Sequence, residues 1–244
     1  MTDTEQLLRI ELAACYRIFD MLGWSELIYN HITVKISGDE EHFLINPYGL
    51  HYSEVCASNL VKVDVDGQVI DDTPYKVNPA GMLIHSAIHK ARPDLHCISH
   101  LHTTAGMAVA CQQGGLRTDN FYSVLLHNQV AYHDFEGLTV SPDEKQRLVA
   151  NLGDKKQLIL RNHGLLSGGA TLAEMFQNTW ALQRACEIQV AADNTGRPLI
   201  PISDAIADKS EALLAVQRSG MAVGELEFAA FRRKLDKQDP SYKQ

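Results

Sequence analysis

The spacing of apolar residues changes after the first twenty-odd positions, and this change constrains the fold more than any other feature. Over residues 8–22 apolar side chains recur every three or four positions, which predicts an amphipathic helix. They then alternate with polar residues over residues 32–36 and again over residues 61–65, which predicts two strands. Turn residues follow each run, at Ser37-Gly38-Asp39 and at Asp66-Gly67. Strands that meet at short turns indicate an antiparallel sheet in this part of the chain.

Helices and strands are mixed irregularly over the rest of the chain. Helical patterns are predicted at residues 79–91, 103–112, 171–194, 204–218 and 224–235 and from a cap at Ser141, and buried strands at residues 95–102 and 156–161. This mixture favours an α/β fold in which helices cover a largely antiparallel sheet. No change in composition marks a boundary, so we expect a single domain over residues 1–244 with its core at about 7–235.

Charge and cysteine usage limit the class of protein. The chain has 22 Lys and Arg against 30 Asp and Glu, a net charge of −8, which argues against a nucleic-acid partner. No apolar run approaches the roughly 20 residues of a membrane helix, and residues 1–5 lack the basic start of a targeting segment. The five cysteines are an odd number without a CxxC pair. We therefore expect a cytoplasmic protein with reduced thiols and no membrane partner.

Histidine is unusually frequent, with eleven residues, and three of them suggest a metal site. His100 and His102 flank Leu101 on a predicted strand, so both imidazoles face the same side. Taken alone, two histidines at this spacing are more often ordinary residues at the end of a strand than metal ligands. His163, however, directly follows a second buried strand, where sites are commonly built. Together the three would form a three-histidine divalent metal site with one open position, as in catalytic zinc sites.

His85 and His89 are a rival pair, because they are four residues apart on one predicted helix face. No glutamate stands between them in the position found in zinc proteases. We interpret His89 as a surface residue and His85 as a residue that lines the cleft. The remaining histidines, including His31 and His133, have no partner at a spacing above background.

Several segments together resemble one known family. They are residues 24–33 (WSELIYNHIT), 47–50 (PYGL), 52–55 (YSEV), 83–102, 130–134 (VAYHD) and 158–165 (LILRNHGL). In combination these segments resemble the class II aldolase/adducin family, and they are most similar to the adducin head domain and bacterial adducin-like proteins. The resemblance extends over residues 24–193, which is most of the chain.

The resemblance implies a fold, an assembly and a reaction. The fold would be a three-layer α/β/α sandwich around a largely antiparallel central sheet. The assembly would be a homotetramer with its active site at a subunit interface. His100, His102 and His163 would hold a catalytic zinc ion that polarises a carbonyl of a small hydroxylated substrate, so that a carbon–carbon bond of a sugar phosphate is broken.

Two features depart from the family pattern. The family's acid–base glutamate falls on Gly81 here, and glycine cannot transfer a proton. In the phosphate-binding pattern Asn30 and Gly49 match, but Tyr29 and Tyr48 replace small residues. These four residues are our candidates for binding the substrate.

Two functions remain open at this stage. The first is a metal-dependent aldolase-like lyase, or a related carbonyl enzyme, in which Tyr122 or His85 replaces the missing glutamate. The alternative is a non-catalytic, adducin-like oligomeric binding or scaffold module whose metal is structural. Imidazole ligands suit several metals, so the preference for zinc comes from the resemblance.

Overall fold

One seven-stranded sheet forms the centre of the computed structural model, which describes residues 2–36, 38, 41–137 and 142–244. The strands run in the spatial order β3-β2-β1-β4-β7-β6-β5. Every neighbouring pair of strands is antiparallel except β5 and β6, which are parallel. The bounds are β1 (His31–Ile36), β2 (His42–Ile45), β3 (Val61–Asp64), β4 (Cys97–Leu101), β5 (Val130–His133), β6 (Gln157–Leu160) and β7 (Gly164–Gly169).

Eight α-helices surround this sheet within the described ranges. The first begins as predicted, because the Thr2 hydroxyl accepts a hydrogen bond from the backbone nitrogen of Glu5 at 3.2 Å. Ser37 and Asp39 of the first predicted turn, and the predicted cap Ser141, lie outside the described residues. The bounds are α1 (Asp3–Met21), α2 (Pro79–Ala91), α3 (Thr104–Ala110), α4 (Phe121–Val124), α5 (Pro142–Leu152), α6 (Leu172–Asp193), α7 (Asp204–Arg218) and α8 (Glu225–Gln238).

Different helices cover the two faces of the sheet. Ile32 and Leu101 belong to the core cluster built with α1, α6 and α8. Ile98 and Leu160 belong to a second cluster, built with α2 and α5. Since successive side chains of a strand point to opposite faces, His100 shares the α2–α5 face with Ile98. The predicted three-layer α/β/α sandwich with a largely antiparallel sheet is confirmed.

Strand β7 was not predicted from the sequence, because its glycines disfavour a strand. Close packing explains them. A Cβ atom on Gly164 would lie 2.4 Å from the carbonyl oxygen of Leu101, and one on Gly169 would lie 2.5 Å from the backbone nitrogen of Met175. Glycine at these positions lets β7 lie between β4 and β6 and under α6. This placement brings His163 next to His100.

Buried apolar residues are distributed along the chain from Leu12 in α1 to Tyr242 near its end. The prediction of a single domain over residues 1–244 is compatible with this distribution and stays a prediction. None of the helices in the described part of the chain combines the length and the apolar character needed to cross a bilayer.

Candidate functional site

Three histidine side chains converge at one end of β4 and β7. The Nε2 atom of His100 lies 2.7 Å from Nε2 of His102 and 3.3 Å from Nε2 of His163. The candidate ligand atoms of all three lie within 4.8 Å of one another. Zinc–nitrogen bonds of ~2.0–2.1 Å in a tetrahedral site would separate two ligand nitrogens by about 3.3 Å. The donor set and its spacing therefore fit a zinc-sized divalent cation.

Neighbouring backbone and side-chain groups orient these rings. Nδ1 of His100 donates to the carbonyl oxygen of Leu165 at 3.0 Å, which leaves the lone pair on Nε2. The amide of Asn30 accepts from the backbone nitrogen of His102 at 3.0 Å and donates to the carbonyl oxygen of Trp24 at 2.7 Å. Asn162 has a φ of +58°, a left-handed conformation that asparagine tolerates, and it turns the chain into His163. The site is thus held from β1, β4 and the β6–β7 turn.

The electrostatics of the three histidines favour neutral rings. Burial, and then the neighbouring imidazoles of His102 and others, lowers the pKa of His100 well below its usual value. Burial, and then His102, lowers the pKa of His163 to about 4. The Nε2 atoms of His102 and His163 therefore both approach the Nε2 lone pair of a neutral His100 ring. A cation among the three nitrogens would stabilise this arrangement, because each lone pair would then have an acceptor.

A cavity of about 680 Å³ opens beside the three histidines. Its lining includes Tyr29, His31, Gly81, His133 and Glu144. A volume of this size is typical of a site for a small molecule. The predicted metal ligands and one predicted substrate-binding residue, Tyr29, therefore share one cavity.

Other predicted site residues lie elsewhere in this chain. Among the described residues, those that line the cavity do not include Tyr48, Gly49 or Tyr122. The backbone nitrogen of Tyr48 donates to the carbonyl oxygen of Lys76 at 2.8 Å, and Gly49 has open space around it. Tyr122 packs against the cluster formed by α3 and α6. Both polar ends of the Asn30 amide are already bonded within the protein, so Asn30 positions His102 in this chain.

The interpretation of His89 as a surface residue is wrong, since only 2% of it is exposed. The expectation that His85 lines the cavity is also wrong, because His85 is fully buried behind His31, with their ring centroids 4.3 Å apart. The reason is the orientation of α2. Its histidine face points at β1, where both rings bond the hydroxyl of Thr33, at 2.7 Å from His85 and 2.8 Å from His89.

His31 fills the space next to Gly81. A Cβ atom on Gly81 would lie 2.7 Å from Nε2 of His31, closer than side chains approach in proteins. Gly81, where the resemblance predicts an acid–base glutamate, therefore makes room for this imidazole. Spacing along the sequence could not find His31, because the contact joins β1 to α2.

His133 is a second cavity residue that sequence reasoning missed. It ends β5, which runs parallel to β6, and β6 leads directly to His163. The carboxyl ends of parallel strands lie at the same edge of a sheet, where α/β proteins commonly bind ligands. The position of this histidine at the end of the run VAYH could have indicated a site residue, although its spacing from other histidines did not.

The sandwich fold and the converging histidines define this chain as a protein of the class II aldolase type. Residues 10–190 match the family described as Class II Aldolase and Adducin N-terminal domain. The chain belongs to this family.

Known proteins agree with this assignment. A crystal structure of an aldolase II superfamily protein from Pseudomonas syringae is 40% identical, with a TM-score of 0.94 over 100% of this chain and 98% of the other. The L-fuculose 1-phosphate aldolase of Glaciozyma antarctica PI12 is 29% identical, with a TM-score of 0.85 over 100% and 96%. Alpha-adducin of Rattus norvegicus is 46% identical over 95% of this chain, which spans only 33% of adducin.

Proposed function

We propose that this chain is a metal-dependent lyase of the aldolase type, or a related carbonyl enzyme, that acts on a small hydroxylated substrate. The convergence of three imidazole Nε2 atoms on one point at the wall of a cavity of about 680 Å³ carries the proposal. Membership of a family that contains aldolases supports it. The L-fuculose 1-phosphate aldolase among its similar structures favours a phosphorylated sugar as the substrate class.

His100, His102 and His163 would hold the metal, and zinc suits a neutral three-histidine set. When bound, a divalent cation would polarise the substrate carbonyl and stabilise the negative charge that develops on its oxygen. The protein's own groups would orient the rest of the substrate. Tyr29, which lines the cavity and is partly exposed, is the candidate to contact the substrate's polar end.

We further propose a homotetramer in the cytoplasm, with the site completed across a subunit interface. Exposed aromatic side chains support this assembly, because Tyr48 and Phe121 are large apolar groups that a partner subunit would cover. Tyr48, Gly49 and Tyr122 lie outside the cavity of their own chain, so their predicted roles would be exerted on a neighbour's cavity. Light scattering tests this assembly, and a strict monomer would contradict it.

Metal analysis and a cleavage screen test the proposed function. Purified protein should contain about one zinc ion per chain and should cleave at least one sugar phosphate to a carbonyl product. His163→Ala should lose both properties. His96→Gln, a change at an exposed histidine, is the matched control and should keep both. Wild-type protein that binds no divalent metal after reconstitution would overturn the proposal.

A non-catalytic, adducin-like scaffold with a structural metal is the second candidate. The presence of His31 in the space beside Gly81 favours it, because the family's acid–base carboxylate is not merely absent but its space is filled. Gly81→Glu alone would collide with His31, so the informative variant is His31→Ala combined with Gly81→Glu. Cleavage activity that appears only in this double variant would support a scaffold derived from an aldolase.

A further inference from the structure

We propose that His133 is the acid–base group of this site and takes the role that Gly81 cannot fill. The inference rests on the proposed function and deepens it, because it names the residue that moves the substrate's proton. It starts from one feature of His133, a residue that lines the cavity and has a buried ring nitrogen without a partner among the described residues.

The burial and bonding of His133 distinguish it from a packing histidine. Only 4% of the residue is exposed, and it lines the same cavity as His100, His102 and His163. Its Nδ1 atom lies 2.9 Å from the side-chain nitrogen of Asn151 on α5. Among the described residues, its Nε2 atom has no hydrogen-bond partner. Buried polar atoms are normally paired, so an unpaired nitrogen on a residue that lines a cavity points to a ligand.

Two carboxylates face the unpaired nitrogen of His133. Its Nε2 atom lies 3.7 Å from Oε1 of Glu144 on α5 and 3.9 Å from Oε1 of Glu136 in the loop after β5. These separations are too long for direct hydrogen bonds, so neither carboxylate pairs with Nε2. Both carboxylates face the charge that the ring carries after it accepts a proton.

The other charged groups around His133 are already engaged. Arg147 on α5 forms an ion pair with Glu136. The backbone N–H of Arg161, after β6, donates a hydrogen bond to the carbonyl oxygen of His133 at 2.8 Å. The guanidinium of Arg161 lies 3.8 Å from the carboxylate of Asp134. These contacts fix the end of β5 and leave the His133 ring as the group proposed to meet the substrate.

The sheet places His133 and the metal ligands at one edge. His133 pairs with Leu160 across β5 and β6, and the chain reaches His163 three residues later. The ring of Phe135, two residues after His133, has its centroid 6.3 Å from that of His163. His31 and His85 also have an unpaired nitrogen. The ring of His31, however, is held between His85 and His100, and His85 does not line the cavity, whereas His133 faces carboxylates.

The proposed step is one reversible proton transfer. Neutral His133 accepts at Nε2 the proton from the carbon next to the substrate carbonyl. The electron pair of that C–H bond forms the C=C bond of the enediolate, and the carbonyl oxygen takes the negative charge. In the structure the Asn151 amide nitrogen donates to Nδ1 of His133, so the step requires this amide to rotate by 180°. Its oxygen then accepts a hydrogen bond from Nδ1–H and stabilises the imidazolium. In the reverse direction the imidazolium returns a proton to carbon, and exchange of its N–H with solvent lets deuterium enter the C–H position.

The test uses zinc-loaded protein and two probes, with His133→Gln as the variant and His96→Gln as the matched surface control. The first probe is glycolohydroxamate, an analogue of the enediolate that binds as an anion. Its binding is measured by calorimetry in buffers of different ionisation enthalpy, which gives the number of protons released. In wild type His133 takes the proton that the analogue loses. His133→Gln should therefore release about one proton more per analogue bound at pH 7 than wild type or His96→Gln.

The second probe is dihydroxyacetone phosphate in deuterium oxide, whose C–H exchange is followed by NMR. Loss of a general base slows such exchange by about 10²–10⁴-fold, and we expect that loss in His133→Gln with an unchanged zinc content. His133→Asn serves as a second variant if His133→Gln does not fold.

The outcomes separate this inference from the proposed function. Proton release and exchange that match wild type in a folded, zinc-loaded His133 variant would overturn the role of His133 and leave the lyase proposal standing. Zinc-loaded wild type that neither binds the hydroxamate nor exchanges the probe would overturn both.

Discussion

Two neighbouring groups of histidines lie on one face of the sheet, and they differ in the groups that their ring nitrogens contact. In the converging group, His100, His102 and His163, the Nε2 atoms face one another. In the inner group, His85 and His89, the rings face Thr33 between them. Both groups are largely buried, so burial alone does not separate a ligand from a packing residue.

The inner group forms a hydrogen-bond chain whose direction can be assigned. Nδ1 of His89 donates to the carbonyl oxygen of Leu95 at 2.8 Å, so its Nε2 atom must accept from the Thr33 hydroxyl. The Thr33 oxygen then accepts from Nδ1–H of His85. Burial lowers the pKa of His89 to about 3, so the chain is neutral. Each of its donors thus has a protein acceptor, and only the Nε2 lone pair of His85 has no partner among the described residues.

The converging group lacks such a chain. Only His100 has a protein acceptor for its Nδ1, and its Nε2 lone pair faces two further imidazole nitrogens, within the part of the chain that the structure describes. The comparison teaches that the partner of each ring nitrogen, rather than spacing or burial, distinguishes a candidate ligand. Four changes can break or sharpen this distinction.

Removal of a converging histidine should have the largest effect. His100→Ala should weaken zinc binding by more than about 100-fold, because the loss of even an outer-shell partner typically costs 10–100-fold. Metal content and competition with a chelator measure the effect. The surface variant His96→Gln should bind zinc like wild type. Equal zinc affinity in His100→Ala would show that the three nitrogens do not act as a metal site.

Removal of the Thr33 hydroxyl should destabilise the fold without affecting the metal. Thr33→Val leaves two buried ring nitrogens unpaired, and at ~1–3 kcal/mol each this should lower the free energy of unfolding by about 2–6 kcal/mol. Urea unfolding measures it. Thr118→Val, which removes a 3.3 Å bond to the more exposed His127, is the matched control and should cost less. A large loss of zinc affinity in Thr33→Val would contradict the separation of the two groups.

Acid should lower the free energy of unfolding over a defined pH range, because His89 of the inner group is neutral in the folded chain. The folded-state pKa of His89 is about 3 and its ordinary value is 6.5, so the unfolded chain binds the extra proton between these values. Stability is therefore full above about pH 6.5 and falls as the pH decreases. From pH 7 to pH 5 His89 should contribute a loss of about 2 kcal/mol.

Metal-free protein is the material for this experiment, since zinc would compete with protons at the converging group. Urea unfolding at both pH values should give a smaller loss in His89→Leu than in wild type, by about 2 kcal/mol. An identical pH dependence in the two proteins would mean that His89 is not held neutral by burial.

The contact between His31 and Gly81 should give the smallest effect. Gly81→Ala places a methyl group against the His31 ring, and overpacking of ~1–3 kcal/mol is partly offset by a helix-propensity gain of ~1 kcal/mol. The net loss should be about 1 kcal/mol, and His31→Ala in the same chain should remove it. Gly114→Ala, at a glycine with open space around it, is the control. Additive effects of the two substitutions would argue against direct contact.

Much of the fold could be predicted from the sequence because periodicity is a local property. The helix over α6 and the strand β1 follow from the spacing of apolar residues and from their caps. Strand β7 could not be predicted from local preference. Its glycines are required because the backbones of Leu101 and Met175 approach them closely in the folded chain. The same limit applied to His89, whose helix face was identified but not what that face packs against.

By itself the sequence determined that His100 and His102 share one side of a strand and that His163 follows another, since side-chain direction alternates along a strand. Only the tertiary structure decided that His163 meets His100 across 63 positions of chain and that His85 and His89 turn inward to Thr33. It also decided that His133, which lines the cavity, has a ring nitrogen without a partner among the described residues. The physical reason is that a hydrogen bond or a ligand contact depends on the position of both partners to within a few tenths of an ångström. Apolar periodicity fixes which face of an element is buried, and the packing of distant elements fixes what each buried nitrogen meets there.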